Sequence, residues 1–128
     1  MLNDIQKRIL EVVAGMKNGE AAGAVNIRVD GKKEYRSNSE HITITSKEDK
    51  EGIDIRIEPG VKGEEVHIPV VLTEAGFKDK VYNDFFIGEG ADVTIVAGCG
   101  IHSCAGCDSQ HDGVHTFYVG KNAHVVYT

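Results

Sequence analysis

The residues best suited to chemistry lie close together near the end of the printed sequence. The seventeen residues from Cys99 to His115 contain all three cysteines and three of the six histidines of the chain. These residues are Cys99, Cys104, Cys107, His102, His111 and His115. Thiolate and imidazole are the ligands that zinc and iron prefer in proteins. The segment therefore predicts a metal or iron–sulfur site that uses these six side chains.

The spacing of the cysteines narrows the chemistry without fixing the metal. Four and two residues separate Cys99, Cys104 and Cys107, as in plant-type ferredoxins, which add a distant fourth cysteine. This chain has three cysteines, so a histidine would have to complete the set. Asp108 and Asp112 are further candidates, either as ligands or as groups that orient a ligating imidazole. Zinc and iron both stay open, as do a structural zinc site and reduced thiols without a role.

The composition is that of a soluble protein with one domain. The chain has 128 residues, of which 41% are hydrophobic and 27% are charged. Its net charge of −6 argues against nucleic acid as a partner. It has no apolar run near the ~20 residues needed to cross a bilayer, and its N-terminus does not resemble a signal peptide. We therefore expect a cytoplasmic protein with reduced thiols and no membrane association.

Residues 1–19 predict a short N-terminal α-helix. Asn3 or Asp4 is suited to the N-cap, and Gly19 is suited to the C-terminal end. Apolar residues recur at steps of three and four, which gives the helix one apolar stripe. The stripe consists of Ile5, Ile9, Val12 and Met16. We expect it to be buried against one end of a β domain at residues 20–128.

The rest of the chain predicts short strands that repeat. Apolar and polar residues alternate with period two, the pattern of strands with one buried face. Residues 85–95 align without gaps on residues 117–127, thirty-two positions later. An earlier copy begins at Ile55, and a fainter one begins at Ile27. Such a period predicts a solenoid in which each rung packs on the next.

The solenoid that fits these repeats best is a right-handed parallel β-helix. Equivalent residues such as Phe85 and Phe117 should then lie in neighbouring parallel strands. The alternative is an antiparallel sandwich or cupin-like barrel, with hairpins that pair residues 81–87 with residues 92–97. In the β-helix the Cys/His segment is a loop inserted between two rungs. The other histidines are expected on the surface, namely His41, His67 and His124.

Several segments resemble the SufB/SufD family, the scaffold of the SUF system for iron–sulfur cluster assembly. The similar residues run through most of residues 25–128, and the most specific stretch extends from Asp92 to His115. The chain is most similar to the N-terminal part of compact SufB-like proteins. The resemblance implies a right-handed parallel β-helix and a scaffold without turnover of its own. It also implies a cytosolic complex with a SufC-type ABC ATPase, a SufB/SufD-like partner or second copy, and a cysteine desulfurase as sulfur source.

The resemblance also implies that the chain is truncated at its C-terminus. Similar proteins continue for further rungs and end in a helical region that holds the ATPase, whereas this sequence stops at Thr128 within an expected strand. The family's cluster-assembly cysteine lies in that later part. The leading prediction is a cluster-assembly scaffold, which is not an enzyme. The alternatives are a zinc or iron metalloenzyme with Asp108 or Asp112 as general base, and an interaction module with a structural zinc.

Overall fold

Residues 3–8, 23–74, 76–101 and 109–128 are described by a computed structural model of the chain. Within these ranges the chain is mainly β, with a helical segment at residues 4–8. The strands are β1 (Ala24–Val29), β2 (Lys32–Ser37), β3 (Ile42–Ser46), β4 (Gly52–Ile57), β5 (Lys62–His67), β6 (Val70–Leu72), β7 (Lys78–Ile87), β8 (Asp92–Val96), β9 (Cys99–Ile101), β10 (Gln110–Val119) and β11 (His124–Tyr127).

The described strands form two sheets of mixed pairing. One sheet has the order β11-β8-β5-β1-β6-β9, with β2 added to β1, and the other has the order β10-β7-β4-β3. Antiparallel pairs occur between β1 and β2 and between β3 and β4, and the other pairs are parallel. Within the described ranges, no helix is long and apolar enough to span a membrane.

The predicted repeat appears as parallel strands in register. Phe117 of β10 is the register partner of Phe85 in β7, which in turn is the partner of Ile55 in β4. The rings of Phe85 and Phe117 stack with centroids 4.6 Å apart. The expected parallel pairing of these residues is confirmed. The hairpin of the alternative fold is absent from the described strands, because β7 and β8 lie in different sheets.

Each repeat turns between its two strands at a residue with a left-handed backbone. Gly60, Gly90 and Asn122 have φ angles of 75°, 70° and 60°, and glycine and asparagine are the residue types that adopt this conformation most readily. The turns stack directly, since the Gly60 amide donates to the carbonyl of Glu89 at 2.9 Å and the Gly90 amide donates to that of Lys121 at 2.9 Å. Backbone hydrogen bonds therefore connect the repeats at their corners as well as along their strands.

The apolar core lies between the two sheets. Its largest fully buried side chains include Phe85, Ile42, Ile44, Ile55, Ile95 and Val66. Burying one such side chain contributes about 1.5–3 kcal/mol to folding. The core thus follows the predicted alternation, with the apolar residues of β4, β7 and β8 turned inward.

The prediction that a fainter repeat begins at Ile27 is wrong. Ile27 lies in β1, which pairs with β5, β6 and β2, whereas its supposed equivalent Ile55 lies in the other sheet. The similarity arose because an apolar alternation followed by Asp30-Gly31 is also the pattern of a hairpin. Both turn residues have positive φ, 47° and 81°, as a two-residue hairpin turn requires.

The N-terminal prediction is confirmed at the cap and wrong at the first apolar position. The amide of Gln6 donates to Asn3 Oδ1 at 2.8 Å, and the amide of Asn3 donates to Gln6 Oε1 at 3.0 Å, which is a capping box. Ile5 is 46% exposed, while Gln6 is buried and donates to Thr73 Oγ1. The capping box places Gln6, not Ile5, on the inward side. The other stripe positions, Ile9, Val12 and Met16, lie outside the described residues.

The expectation for His67 is also wrong, because this residue is buried. It lies on β5, which is flanked by β1 and β8, with Val25 and Val96 as register partners. Period-two alternation predicts an exposed outer face only where that face meets water, and Val25 is buried as well. Glu65 Oε1 lies 3.2 Å from Nε2 of His67, and among the described residues no hydrogen-bond partner lies at its Nδ1. His124 is exposed as expected, and His41 is partly exposed.

Candidate functional site

A cavity of about 340 Å³ brings part of the predicted Cys/His cluster together. Its wall is formed by residues of β6, β7, β9, β10 and β11 and of the segments before β6 and after β8. The lining residues are Ile68, Val70, Asn83, Ala97, Gly98, Cys99, His111, Gly113, His115 and Tyr127. The cavity therefore combines one thiol and two imidazoles with an amide, a phenol and apolar walls.

The two histidines of the cavity lie on a strand, which corrects the expectation of an inserted loop. β10 begins at Gln110 and pairs with β7 over ten consecutive positions. Cys99 also lies on a strand, at the start of β9, where it pairs with Val70. Parallel pairing thus extends into the segment that was predicted to be a loop between two rungs, and it holds three of the predicted residues on sheet backbone.

Gly113 leaves open space between the two imidazole rings. His111, Gly113 and His115 alternate along β10, so all three face the same side of the sheet. A Cβ atom at Gly113 would lie 2.9 Å from His115 Nε2 and 3.7 Å from His111 Nε2. Both ring tips therefore approach the same volume, which any larger residue at position 113 would occupy.

His111 is oriented by a buried carboxylate. Its Nδ1 lies 3.0 Å from Oδ2 of Asp79, and Arg28 donates to both carboxylate oxygens at 2.7 and 3.0 Å. Burial raises the pKa of Asp79, but the hydrogen bonds and charges of Arg28 and His111 outweigh it and hold the pKa below its usual value. The ionised carboxylate only accepts hydrogen bonds, so His111 Nδ1 carries a hydrogen. In the neutral ring Nε2 then presents its lone pair, the arrangement found in metal-ligating histidines.

His115 is oriented by Asn83 and Tyr127. The Ile53 amide donates to Asn83 Oδ1 at 3.2 Å, which leaves the Asn83 amide nitrogen to donate to His115 Nε2 at 3.3 Å. His115 Nδ1 then donates to the Tyr127 hydroxyl. Burial and the charge of His111 lower the pKa of His115, which favours the neutral ring. The Nε2 lone pair of His115 thus accepts a long hydrogen bond from Asn83. This hydrogen bond would have to break before Nε2 could bind a metal ion.

Cys99 is held as a thiol. Although Cys99 is exposed, desolvation by the surrounding chain raises the pKa of its thiol, and the negative charge of Asp79 raises it further. Because the thiolate is the form that binds metal, binding at Cys99 would release a proton. A cation in the cavity would instead favour the thiolate, because it would bind the sulfur and offset the negative charge of Asp79.

Of the other predicted site residues, one faces outward and four lie outside the described residues. Asp112 is exposed on the opposite face of β10 and accepts a hydrogen bond from Gln110. His102, Cys104, Cys107 and Asp108 lie outside the described residues. Within the described ranges, no three His, Cys, Asp or Glu side chains are close enough together to hold a metal ion. A complete ligand set would therefore need donors from residues 102–108.

The sequence prediction missed the groups that orient the imidazoles. Asp79 and Asn83 lie thirty-two residues before His111 and His115, which is the repeat spacing already found between Phe85 and Phe117. Extending that alignment toward the N-terminus would have placed each histidine beside its partner. The signal was weak because a carboxylate and an amide replace apolar residues at inward positions of β7.

The chain is similar to a protein of known family. It is 32% identical over 96 residues to an iron–sulfur cluster assembly SufBD family protein of Archaeoglobus fulgidus. The match covers 73% of this chain and 25% of the relative, so the chain spans about a quarter of the relative's length. No family model matches the chain, and no solved structure matches it significantly. The similarity supports a relationship to SufB/SufD-like proteins.

Proposed function

We propose that this chain serves as a scaffold in iron–sulfur cluster assembly, with iron and sulfide as its cargo. The donors are Cys99, Cys104 and Cys107 together with His102, His111 and His115. The observation that carries the proposal is that Cys99, His111 and His115 line one cavity, where Asp79 orients the His111 ring. The similarity to a SufBD family protein supports the same cargo.

The donor chemistry suits capture of a soft cation better than turnover. A catalytic zinc site takes three protein ligands and leaves one position open, whereas this segment offers six Cys and His donors. Cysteine thiolates are good ligands for iron, and so is imidazole nitrogen. The chain would therefore act as a binding scaffold and not as an enzyme, with a partner supplying any work.

The fold that we propose for the scaffold is a right-handed parallel β-helix. It is supported by three strand–turn–strand units, β4-β5, β7-β8 and β10-β11, whose equivalent strands pair in parallel. Repeats that stack in this way give a rigid base for a binding site. In this arrangement the histidines lie on the third unit, beside the equivalent residues of the second.

The partners that we propose are a SufC-type ATPase, a SufB/SufD-like subunit or second copy of the chain, and a cysteine desulfurase that delivers sulfur. Within the described strands, β10 and β11 lie at sheet edges and carry exposed apolar side chains. These are Val114, Tyr118, Val119, Val126 and Tyr127. Edges of this kind are suited to pairing with further chain, which supports an assembled scaffold.

Anaerobic purification followed by iron, zinc and sulfide analysis tests the proposed function. We expect iron and acid-labile sulfide in near-equal amounts, with visible charge-transfer absorption that the Cys99→Ser variant loses. The matched control is His41→Ala, which removes a histidine remote from the cavity and should leave the absorption unchanged. Colourless protein with zinc would favour a structural metal site, and iron without sulfide would favour a mononuclear centre. Either result would contradict the cluster scaffold.

A further inference from the structure

A second cleft lies beside the N-terminal strands and is lined by cations. It has a volume of about 140 Å³ and is formed by residues of β1, β2, β3, β4 and β7 and of their connections. Its charged and polar lining residues are Asn26, Arg28, Lys33, Arg36, Ser46, Lys47 and Glu51. Four of these seven side chains are cationic and one is anionic, in a chain whose net charge is −6.

Three of the four cations have their positive charge compensated or exposed to water. Lys47 contacts Asp54 at 2.6 Å and Asp84 at 2.9 Å. Arg28 pairs with Asp79 at 2.7 Å and contacts Glu51 at 3.5 Å. The third cation, Lys33, is exposed. None of these three therefore requires a ligand.

Arg36 differs because its partners are neutral. Its Nε donates to Asn26 Oδ1 at 2.8 Å, and its Nη2 donates to Ser46 Oγ at 3.0 Å. Burial lowers the pKa of Arg36, with no carboxylate acting against this effect. Among the described residues, no carboxylate forms an ion pair with it. A partly buried guanidinium without a counter-charge is costly, and the cost is removed when an anion binds beside it.

We propose that this cleft binds a phosphate group, held by Arg36 and Ser46. The planar guanidinium of Arg36 has donors left for two phosphate oxygens after its contacts with Asn26 and Ser46. Ser46 is exposed, and its hydroxyl is a further donor at the mouth of the cleft. The volume of about 140 Å³ is large enough for a phosphate group. We expect the ligand to be inorganic phosphate or the phosphate end of a small monoester.

This site is separate from the proposed cargo site. It shares no residue with the cavity that contains Cys99, His111 and His115. Two contacts connect the sites: Arg28 lines the cleft and also holds Asp79 beside His111, and the amide of Ile53, another residue of the cleft, donates to Asn83 of the cavity. The tests therefore change Arg36 and Ser46 and leave Arg28 intact, so that failure of one proposal does not affect the other.

Calorimetric titration at constant ionic strength tests the proposal, with inorganic phosphate and glycerol 3-phosphate as the two ligands. We expect saturable binding of at least one with a Kd of about 1 mM or tighter. Tighter binding of glycerol 3-phosphate would identify a phosphorylated metabolite as the ligand class, and binding of phosphate alone would identify the free ion. Bound ligand should also raise the Tm, because it stabilises the folded state alone.

Two variants and one control decide whether the cleft is responsible. Arg36→Gln should raise the Kd by about tenfold or more, since it removes a charged hydrogen-bond donor. Ser46→Asp supplies the missing carboxylate next to Arg36 Nη2, so it should abolish binding without lowering the Tm of the ligand-free protein. Arg56→Gln is the control, because Arg56 lies over the Phe86 ring outside the cleft, and its Kd should stay within about twofold of the parent.

Absence of saturation for both ligands up to about 10 mM would overturn the proposal. Unchanged affinity in Ser46→Asp would overturn it as well, including the case in which Arg36→Gln does not fold.

Discussion

Asp79 and His111 lie opposite each other on β7 and β10, with Asp79 Oδ2 3.0 Å from His111 Nδ1. This contact decides which nitrogen of the ring carries the hydrogen and which one presents a lone pair. Arg28 holds the same carboxylate from β1 with two hydrogen bonds. A residue of the candidate site is thus positioned by an ion pair that connects the two sheets.

Replacing Asp79 should affect stability and metal binding together. The Asp79→Asn variant leaves Arg28 largely buried without its main counter-charge, which should cost about 3 kcal/mol of unfolding free energy. It also releases His111, so affinity for Co²⁺ as a probe metal should fall about tenfold. Urea unfolding and cobalt titration measure the two effects.

Asp54→Asn is the control for this prediction. Asp54 also forms an ion pair, but its partner Lys47 keeps Asp84. We expect a smaller loss of stability and no change in cobalt affinity. Equal cobalt affinities in the parent and in Asp79→Asn would show that the carboxylate does not orient a ligand.

Filling the space at Gly113 should weaken metal binding while the fold is kept. Its φ lies outside the left-handed region, so alanine is tolerated by the backbone. The added methyl group would meet His115 Nε2 at 2.9 Å and narrow the space shared with His111. We expect Gly113→Ala to lower cobalt affinity by at least about tenfold. The control is Thr116→Ala, at an exposed position of the same strand, which should bind cobalt normally. Equal cobalt affinities in the two variants would contradict the prediction that a metal ion occupies the space beside Gly113.

The repeat was predictable from the sequence because equivalent residues of stacked strands have similar surroundings. Similar residue types therefore recur at a constant interval along the chain. Phe85 and Phe117 repeat at the interval that also separates their strands, and the turn residues Gly90 and Asn122 share a backbone conformation. The relation of Ile27 to the repeat was not predictable by the same means. The local sequence of a strand that ends in Asp-Gly is the same whether the strand pairs within a hairpin or with a distant repeat.

Residue types made His111, His115 and Cys99 candidate metal donors, since few other side chains bind soft cations. The structure brings these three residues to one cavity, and metal binding by them stays a prediction. Their placement on strands was missed because the segment was predicted to be a loop between two rungs, whereas pairing to β7 and β6 places these residues on strands. Asp79 was missed for a related reason, since a lone carboxylate in a strand gives no local sign of its partner on another strand.

Phe85 should contribute more to stability than its neighbour Phe86. Phe85 is fully buried and stacks on Phe117, whereas Phe86 lies on the outer face against Tyr118. We expect Phe85→Ala to lower the unfolding free energy by about 4 kcal/mol and Phe86→Ala to lower it by about 1 kcal/mol. Urea unfolding of both variants measures the difference, and similar losses would contradict the assignment of the inward face.

Asp30 should make stability sensitive to acid. Its carboxylate accepts hydrogen bonds from the Thr73 amide at 2.6 Å and hydroxyl at 2.7 Å, and from the Glu74 amide at 3.1 Å. Burial raises the pKa of Asp30, and these hydrogen bonds outweigh burial and hold the pKa below 3.8. A lowered folded-state pKa gives stability that is present above the unfolded value and lost as the pH falls through the folded value.

The Asp30→Asn variant isolates this contribution. We expect it to be about 1 kcal/mol less stable than the parent at pH 7. Below about pH 4 the gap should narrow, because the parent's carboxylate then becomes protonated. Unfolding free energies measured from pH 3 to pH 7 give the comparison, and a gap that stays constant over this range would rule out the charged hydrogen bonds as its source.

The most direct test of the scaffold is cluster reconstitution in two variants that each lack one histidine. His111→Ala removes the ring that Asp79 turns toward the cavity, and His124→Ala removes an exposed ring on β11. Each protein is incubated anaerobically with ferrous iron and sulfide, desalted, and assayed for bound iron, sulfide and visible absorption. We predict that the parent and His124→Ala retain a coloured cluster, while His111→Ala loses most of it. Equal iron and sulfide in all three proteins would contradict a role for the cavity in holding the cluster.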